Sequence, residues 1–515
     1  MKILMVAAEN GALPGGKVGG MGDVLRDAPL ALAEQGHSVD LVTPGYGHFS
    51  RLPGARKVTD VVVAFRGRRE VVEVFRVADG AAGRVVYWAL EHPLFSAAGA
   101  GKIYCDDPPG RPFATDTNRF ALFCVAVAEG FAGGVFSDCA VIHLHDWHTA
   151  LVAVLARYHP RYRALAATRL VYSIHNLSLQ GIRPFRGDDS SLASWFPELA
   201  CDQTQICDPR YPDCINPMRA AINLCHRIHA VSPTYAREIQ QPSVAGAGFV
   251  GGEGLERDLQ LAASEQRLAG ILNGCDYSRP VPHQSFADVL VAARRQLLDW
   301  IGAGPHLASD HFLALRAVEH WQGARAPELV VTSVGRLTDQ KVRLFRETTG
   351  AGNSCLDEIL AALGDVGVLV VLGSGDPAIE GFFTAAAARH SNLIFLRGYS
   401  EYLADHLYAG GDLFVMPSSF EPCGISQMLA MRAGQPCLVH GVGGLADTVS
   451  DRDNGFVFGG ASPRAQADAF VAYFAAIVRL TQEQPHHYQA VRTAASQARF
   501  PWSVVVDQYL DRLYT

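Results

Sequence analysis

Residues 2–32 read KILMVAAENGALPGGKVGGMGDVLRDAPLAL and contain one complete strand–loop–helix unit. A short run of β-branched and aliphatic residues comes first and a glycine-rich loop follows it. The unit ends in a helix-like segment whose apolar face includes Val24, Leu25 and Leu30. An apolar run of this kind is typical of a parallel strand that is buried on both faces of a sheet.

The same unit recurs along the chain in two series. We predict first-half strands that begin at Lys2, Ser38, Arg84, Val141, Arg169 and Arg227. The pattern breaks at PVPHQ near residue 280, and we predict second-half strands that begin at Leu329, Val366, Asn392, Leu413 and Cys437. Strands that alternate with helices predict an α/β protein with two doubly wound domains.

Length and composition exclude several classes of protein. The 515 residues are too many for one ordinary domain, and the net charge of 44 − 51 = −7 gives no basic excess for nucleic-acid binding. The sequence contains no apolar run of roughly 20 residues, and its 11 cysteines include no Cys-x-x-Cys pair. We therefore expect a globular protein of the reducing cytoplasm, with no membrane or nucleic-acid partner.

Polar residues follow many of the predicted strands. They are Lys17, His145, Asp146, His175, Asn176, Arg336, Tyr399 and Glu421. Ligands of open α/β sheets bind at the carboxyl ends of the strands. Two such edges that face each other would form one interdomain cleft, which is the ligand site we predict.

GGKVGGMGD, from Gly15 to Asp23, lacks both the GxGxxG order of a dinucleotide site and the Lys-Ser/Thr pair of a Walker loop. Gly19 and Gly20 would let backbone amides at a helix N-terminus approach an anion or sugar, with Lys17 adding positive charge. An ordinary glycine-rich turn is the alternative.

HLHDWHT, from His143 to Thr149, superficially suggests a metallo-hydrolase, which would need HxHxDH. Here Asp146 precedes Trp147 and His148, so the spacing does not match. We expect one histidine to pack in the sheet and Asp146 to face the cleft, where it orients a cation. No metal site is predicted.

Two motifs in the second half of the sequence place charged residues at the ends of predicted strands. In SVGRLTDQK, Arg336 and Lys341 could clamp a diphosphate, whereas the alternative is solvated surface cations. In SSFEPCGISQMLAMRAG, Glu421 could bond sugar hydroxyls. A helix predicted to start near Gly424 would aim the amides of Gly424 and Ile425 at negative charge, and helix capping is the alternative for Glu421.

Nine strings together resemble the bacterial glycogen synthases and plant starch synthases, which are retaining glucosyltransferases of the GT-B fold. In the family's order they are KVGGMGD, HLHDWHT, YSIHNLSLQG, AVSPTYAREI, GILNGCD, GRLTDQK, GYSEYLADHLYAGGD, FEPCG and GGLADTV. The resemblance implies two Rossmann-like domains: residues 1–266 on the glucan acceptor side and 267–495 on the nucleotide-sugar donor side. Residues 496–515 would form a helix that returns to the first domain.

The resemblance also implies a reaction. Glucose would pass from ADP-glucose to the non-reducing 4-hydroxyl of an α-1,4-glucan such as glycogen, with retention at the anomeric carbon and without metal or cofactor. By the family's route the acceptor attacks from the leaving-group face, and a phosphate oxygen takes its proton.

The site residues carried over from the resemblance fall into two groups. On the acceptor side, Lys17 would lie near the phosphate and acceptor, Asp23 would help to position the donor, and Asp146 would orient the arginine. His175 would touch the transferring glucose, whose 6-hydroxyl would be bound by Asn273 from the range assigned to the donor side. On the donor side, Arg336 and Lys341 would stabilise the diphosphate, Tyr399 would lie beside the adenine, and Glu421 would bind glucose hydroxyls with support from Cys423, Gly424 and Ile425.

The chain departs from the family pattern in three places. Val342 and Arg343 follow Lys341 where the family usually has glycine and a leucine-rich helix, and His440 and Gly441 precede GGLADTV where it usually has a basic residue. Leu429 stands where some GT-B enzymes have a second acidic residue. The alternatives are a UDP-glucose-preferring synthase, a weakly active glucan-binding homologue, and a glucan phosphorylase, for which no pyridoxal phosphate lysine is identified.

Overall fold

The computed structural model describes residues 1–136, 138–278, 280–304 and 306–515. These residues form two compact units. Unit 1 comprises Met1–Ser243, Gly251–Gly274 and Pro501–Thr515, and unit 2 comprises Val244–Val250 and Cys275–Phe500. The boundaries at 274 and 500 lie a few residues after the predicted limits of 266 and 495.

Unit 1 is built on a large sheet flanked by helices. Its strands are β1 (Lys2–Val6), β2 (Ser38–Pro44), β3 (Arg56–Phe65), β4 (Arg68–Gly80), β5 (Val85–Glu91), β6 (Val141–His145), β7 (Arg169–Ile174), β8 (Arg183–Pro184), β9 (Cys214–Ile215), β10 (Arg227–Ala230) and β11 (Leu268–Gly270). Its helices before the first boundary are α1 (Gly20–Glu34), α2 (Ala114–Ala132), α3 (Leu151–Tyr158), α4 (Arg163–Ala166), α5 (Leu192–Trp195), α6 (Pro217–Leu224), α7 (Pro233–Glu238) and α8 (Glu256–Ser264).

The described strands of this sheet run in the order β11-β10-β7-β6-β1-β2-β5-β4-β3, and β8 pairs with β9 separately. Pairing is parallel from β11 to β5, whereas β4 is antiparallel to both of its neighbours. All six predicted first-half strands are present. The sequence prediction missed the β3–β4 hairpin, in which burial alternates along each strand so that one face is largely exposed.

Unit 2 contains a six-stranded parallel sheet. Its elements are α9 (Phe286–Ala303), α10 (Ser309–Gly323), β12 (Leu329–Val334), α11 (Asp339–Arg346), α12 (Cys355–Leu363), β13 (Gly367–Gly373), α13 (Pro377–Arg389), β14 (Leu393–Arg397), α14 (Glu401–Gly410), β15 (Leu413–Met416), α15 (Ser426–Arg432), β16 (Cys437–His440), α16 (Gly443–Thr448), β17 (Gly455–Phe458), α17 (Pro463–Glu483) and α18 (Pro485–Gln497). The described strands run in the order β14-β13-β12-β15-β16-β17.

Both faces of the unit 2 sheet are covered by apolar packing. Val331, Leu369 and Val371 belong to the core on one face, whereas Val330 and Val368 belong to the core on the other. Such double burial explains why the second-half strands read as apolar runs and why five of the six were predicted. Two doubly wound α/β domains are therefore confirmed.

The end of the chain forms α19 (Trp502–Arg512), which belongs to unit 1. Its apolar face buries Trp502, Val505, Val506 and Tyr509. The side chain of Gln35, which follows α1, donates a hydrogen bond to Asp507 at 2.7 Å. Across the described ranges, every helix is too short or too polar to cross a bilayer.

Candidate active site

The glycine-rich loop after β1 is shaped by a buried carboxylate that the sequence prediction missed. Glu9 Oε2 accepts hydrogen bonds from the backbone amides of Val18, Gly19 and Gly22 at 2.9, 2.8 and 3.2 Å. Glu9 Oε1 accepts one from the hydroxyl of Tyr104 at 2.8 Å. The amide of Gly19, which we expected to meet a ligand anion, is thus engaged by an anion of the protein itself. The sequence offered a signal for Glu9, because a carboxylate that directly follows an apolar strand lies at the edge of the sheet where ligands bind.

Lys17 and Asp23 form an ion pair at the start of α1. Lys17 Nζ lies 2.7 Å from Asp23 Oδ1, and the guanidinium of Arg26 lies 3.1 Å from the same oxygen. The side chain of Lys17 stays about one-third exposed, at 33%. Within unit 1, Asp23 therefore holds the ammonium of Lys17 in place, and its donor-positioning role stays a prediction.

Asp146 occupies a strained backbone position at the end of β6. Its φ of 55° and ψ of −178° are values that residues other than glycine rarely adopt. Its carboxylate accepts the backbone amides of His175 at 2.7 Å and Asn176 at 3.4 Å, so it joins the ends of β6 and β7. Among the described residues no cation pairs with Asp146, and its role in orienting one stays a prediction. Burial raises the pKa of Asp146 to about 7.

Three histidines lie together beside Asp146. The rings of His143 and His145 stack with centroids 4.3 Å apart, and His145 Nδ1 lies 2.9 Å from His175 Nε2. Burial lowers the pKa of His143 and His145 well below the usual value and that of His175 to about 3. All three imidazoles are therefore neutral at pH 7. Both His143 and His145 are buried, where we expected one.

Asn273 lies in unit 1 just before the chain enters unit 2. Its side chain is 4% exposed, and its Oδ1 atom has no hydrogen-bond partner among the described residues. A buried acceptor without a donor is unfavourable unless a ligand or water supplies one. Asn273 is thus ready to accept a hydrogen bond.

In unit 2 a small recess lies at the carboxyl ends of β12, β13 and β15. Its lining residues include Gly335, Lys341 and Ser418. Lys341 on α11 forms an ion pair with Glu421, whose Oε2 also accepts a hydrogen bond from Ser418 Oγ at 3.1 Å. Glu421 is 5% exposed, so the pair is largely shielded from water.

Arg336 and Tyr399 have more open surroundings. Arg336 follows β12 and is exposed, and no carboxylate pairs with its guanidinium within the described part of the chain. Tyr399 follows β14, after Gly398 with its φ of +151°, and is 64% exposed. Both side chains are therefore available at the same edge of the sheet that bears Lys341.

The turn from Glu421 to Ile425 is held by two glycines. Gly424 has a φ of +77°, so it is not helical, and α15 starts two residues later at Ser426, close to the predicted start. The amide of Gly444 donates to the carbonyl of Glu421 at 3.0 Å, and a Cβ at Gly444 would lie 2.1 Å from the carbonyl oxygen of Cys423. The GGLADTV string therefore packs directly on FEPCG.

Two departures from the expected pattern have structural consequences. His440 donates from Nδ1 to the carbonyl of Ser418 at 3.0 Å and stacks on Phe458, so it supports the loop that carries Glu421. After Lys341, α11 ends at Arg346 and the loop to α12 closes with a bridge between Thr348 and Ser354. No cluster of three or more potential metal ligands occurs in the described ranges.

Comparisons with known proteins agree on one family. The starch synthase catalytic domain matches residues 2–261, and the group 1 glycosyl transferases match residues 328–475. A glycogen synthase of Anaeromyxobacter sp. (strain Fw109-5) is 34% identical over 482 residues, which cover 90% of each chain. The chain belongs to the glycogen synthase family. The resemblance found in the sequence is confirmed.

Two further relatives of this glycogen synthase family member match almost end to end. A glycogen synthase of Streptococcus equi subsp. equi (strain 4047) is 31% identical and covers 99% of both chains. The catalytic domain of starch synthase IV from Arabidopsis thaliana, solved with ADP and acarbose, is 26% identical with a TM-score of 0.76. It covers 100% of this chain and 98% of that one, which confirms the GT-B fold.

Proposed function

We propose that this glycogen synthase family member transfers glucose from ADP-glucose to the non-reducing 4-hydroxyl of an α-1,4-glucan, with retention of configuration. The observation that carries the proposal is the ion pair in unit 2 between Lys341, which lines the recess, and the buried carboxylate of Glu421. A cation and a carboxylate held side by side provide for both halves of a sugar diphosphate, since one matches phosphate and the other matches hydroxyls.

The departing diphosphate needs positive charge. Breaking the bond between glucose C1 and the phosphate oxygen leaves negative charge on the nucleotide, which Lys341 and Arg336 would stabilise. Lys341 is fixed by Glu421 before the donor arrives, so little reorganisation is needed. Arg336 supplies a planar fork for two phosphate oxygens.

The transferring glucose needs neutral partners as well as Glu421. C1 becomes positively charged as the bond breaks, and a charged imidazole beside it would oppose that change. His175, with its pKa lowered to about 3 by burial, would bond a hydroxyl without adding charge. Asn273 Oδ1, which lacks a partner among the described residues, would accept a hydrogen bond from the 6-hydroxyl of the glucose.

The retention that we propose uses attack from the leaving-group face, because the two candidate carboxylates are already engaged by protein groups. Asp146 is held by two backbone amides and Glu421 by Lys341, so neither is poised as a nucleophile on the glucose. We propose that the acceptor 4-oxygen attacks C1 from the leaving-group face while the C1–phosphate bond breaks. The acceptor proton then passes to a phosphate oxygen, and no metal or cofactor is needed.

The donor base is assigned to adenine. Starch synthase IV, the structural relative, was solved with ADP and acarbose, and we carry the adenine over to this chain. The exposed ring of Tyr399 would stack on the base, and stacking alone discriminates weakly between bases.

Competition between donors tests the assignment. Purified enzyme is given glycogen, EDTA, labelled ADP-glucose and unlabelled UDP-glucose, and then the reverse. We expect efficient labelling from ADP-glucose only. Preferential labelling from UDP-glucose would move the assignment to the alternative donor, and incorporation that depends on added divalent metal would refute the metal-free route.

A further inference from the structure

A chain of four buried polar side chains lies beneath the histidines of unit 1. Tyr514, the next-to-last residue, places its hydroxyl 2.8 Å from His143 Nδ1, and His143 Nε2 lies 2.7 Å from Ser173 Oγ. Ser173 Oγ lies 2.7 Å from His229 Nδ1, and His229 Nε2 lies 2.9 Å from the carbonyl oxygen of Ile271. His143, Ser173 and His229 are 0% exposed and Tyr514 is 5% exposed.

The sheet itself brings these groups together. Ser173 on β7 is the register partner of His145 on β6 and of His229 on β10, and His143 lies two residues before His145 on the same face. The remaining member, Tyr514, arrives 371 residues after His143 in sequence, at the end of the segment that contains α19.

The chain of hydrogen bonds has only one possible direction. The carbonyl of Ile271 accepts and cannot donate, so His229 must carry its proton on Nε2. Neutral His229 then accepts at Nδ1 from the hydroxyl of Ser173, whose oxygen accepts from His143 Nε2. His143 Nδ1 is left as an acceptor, and the hydroxyl of Tyr514 donates to it.

This chain is in direct contact with the candidate site. The ring of His143 stacks on His145 with centroids 4.3 Å apart, and His145 Nδ1 lies 2.9 Å from His175 Nε2. The Tyr514 ring also packs edge-on against His143, at 5.7 Å and 82°. A ring that is fixed by hydrogen bonds on both nitrogens cannot rotate, so it offers a rigid surface for the stack.

We propose that Tyr514 is a positioning residue that fixes the orientation of the His143 ring and, through the stack on His145, the placement of His175. The inference rests on the proposed function for the role of His175 and goes beyond it by assigning a task to the end of the chain. Without the Tyr514 hydroxyl, His143 Nδ1 becomes a buried acceptor without a donor, and the ring is held by a hydrogen bond at Nε2 alone.

Ring nitrogen NMR tests the positioning without any need for turnover. In protein labelled with ¹⁵N-histidine, we expect His143 and His229 both to carry Nε2–H. We expect Tyr514→Phe to move the Nδ1 signal of His143 and the ring signals of His145 and His175. An Nδ1–H tautomer at His143 in the unaltered protein, or unchanged His145 and His175 signals in the variant, would overturn the proposal.

Steady-state kinetics provide a second test of the role of Tyr514. Tyr514→Phe is expected to lower kcat on the order of tenfold with little change in the KM for ADP-glucose, because donor phosphates bind in unit 2. Tyr488→Phe is the matched control, since its buried hydroxyl donates to the carbonyl of Asp412 at 2.8 Å, within unit 2. An equal loss of kcat in both variants would reduce Tyr514 to a stabilising role and contradict the proposal.

Ser173→Ala provides an independent variant in case the first one folds poorly. This substitution interrupts the chain of hydrogen bonds at its centre, so its effect on kcat should resemble that of Tyr514→Phe. The double variant should lose no more than the worse single variant, because both changes disable one unit. If the losses of kcat in the two single variants added up in the double variant, the hydrogen bonds would not act as one unit and the proposal would be contradicted. If the unaltered enzyme transferred no glucose, the proposed function would fail, and the NMR result would still decide the positioning claim.

Discussion

Lys341 and Glu421 form an ion pair in unit 2 although 80 residues separate them along the chain. The adjacency of β12 and β15 brings the two together, since α11 follows one strand and the FEPCG turn follows the other. Ser418 and the amide of Gly444 hold the carboxylate side of the pair through its Oε2 atom and its backbone carbonyl. The pair is the most constrained charged element of the proposed donor site.

Glu421→Gln should lower kcat on the order of 10²- to 10³-fold, because it removes the charge that fixes Lys341 and bonds the glucose hydroxyls. Transfer from labelled ADP-glucose measures the loss, and far-UV circular dichroism checks the fold. Glu483→Gln, at the exposed end of α17, is the matched control and should behave like the unaltered enzyme. Near-normal turnover in Glu421→Gln would remove Glu421 from the site.

Arg336→Ala should separate activity from stability. The side chain is exposed and has no carboxylate partner among the described residues, so the free energy of unfolding should change by less than about 0.5 kcal/mol. Loss of one diphosphate contact should still reduce kcat/KM about 10²-fold. Urea unfolding and initial rates measure the two effects, and Arg479→Ala on the outside of α17 serves as control. A stable variant with full activity would exclude Arg336 from phosphate binding.

Asp146→Asn should change how stability depends on pH. Burial raises the pKa of Asp146 to about 7 in the folded protein, well above the ordinary carboxyl value. Between about pH 4 and pH 7 the folded state binds the extra proton, so this group's contribution to stability falls as pH rises, by at most about 1.4 kcal/mol per unit. The stability of the asparagine variant relative to the unaltered protein should therefore increase across this window.

Denaturant unfolding of both proteins at pH 4.5, 5.5 and 6.5 measures that difference. Asp447→Asn is a control at a carboxyl group that lies on α16 in unit 2. A constant difference between Asp146→Asn and the unaltered protein over the three pH values would show that Asp146 has an ordinary pKa.

Gly444→Ala should disturb the FEPCG turn from outside it. The new methyl group would lie 2.1 Å from the carbonyl oxygen of Cys423, so the turn must shift, at a cost of about 1–3 kcal/mol. We expect a lower Tm together with a marked rise in KM for ADP-glucose. Gly381→Ala on α13 has open space around the added carbon and should raise stability slightly. An unchanged KM in Gly444→Ala would show that the turn does not depend on this contact.

The sequence predicted the parallel strands at the centre of both sheets and the charged residues at their ends, because strands buried on both faces appear as apolar runs in the order of residues. It could not predict pairings that depend on strand order or on distant segments. Glu9 receives three amides of the glycine-rich loop, and Tyr104 reaches it from 95 residues away. Tyr514 reaches His143 from 371 residues away.

Asp146 is a single residue whose position could be predicted from the sequence and whose contacts could not. Its place after β6 was predicted, and its expected partner was a cation. In the structure its carboxylate binds the amides at the end of β7, a contact set by the parallel register of two neighbouring strands. The local sequence does not predict which backbone groups of a neighbouring strand a side chain will contact.

The central claim is glucose transfer from ADP-glucose to a glucan, and a direct transfer assay tests it. Purified enzyme is incubated with glycogen, labelled ADP-glucose and EDTA, and the polymer is digested with an α-1,4-specific exo-amylase. We expect label in the polymer and its complete release by the amylase, since each new residue joins a non-reducing end through an α-1,4 bond. Absence of label in the polymer from either ADP-glucose or UDP-glucose would contradict the account.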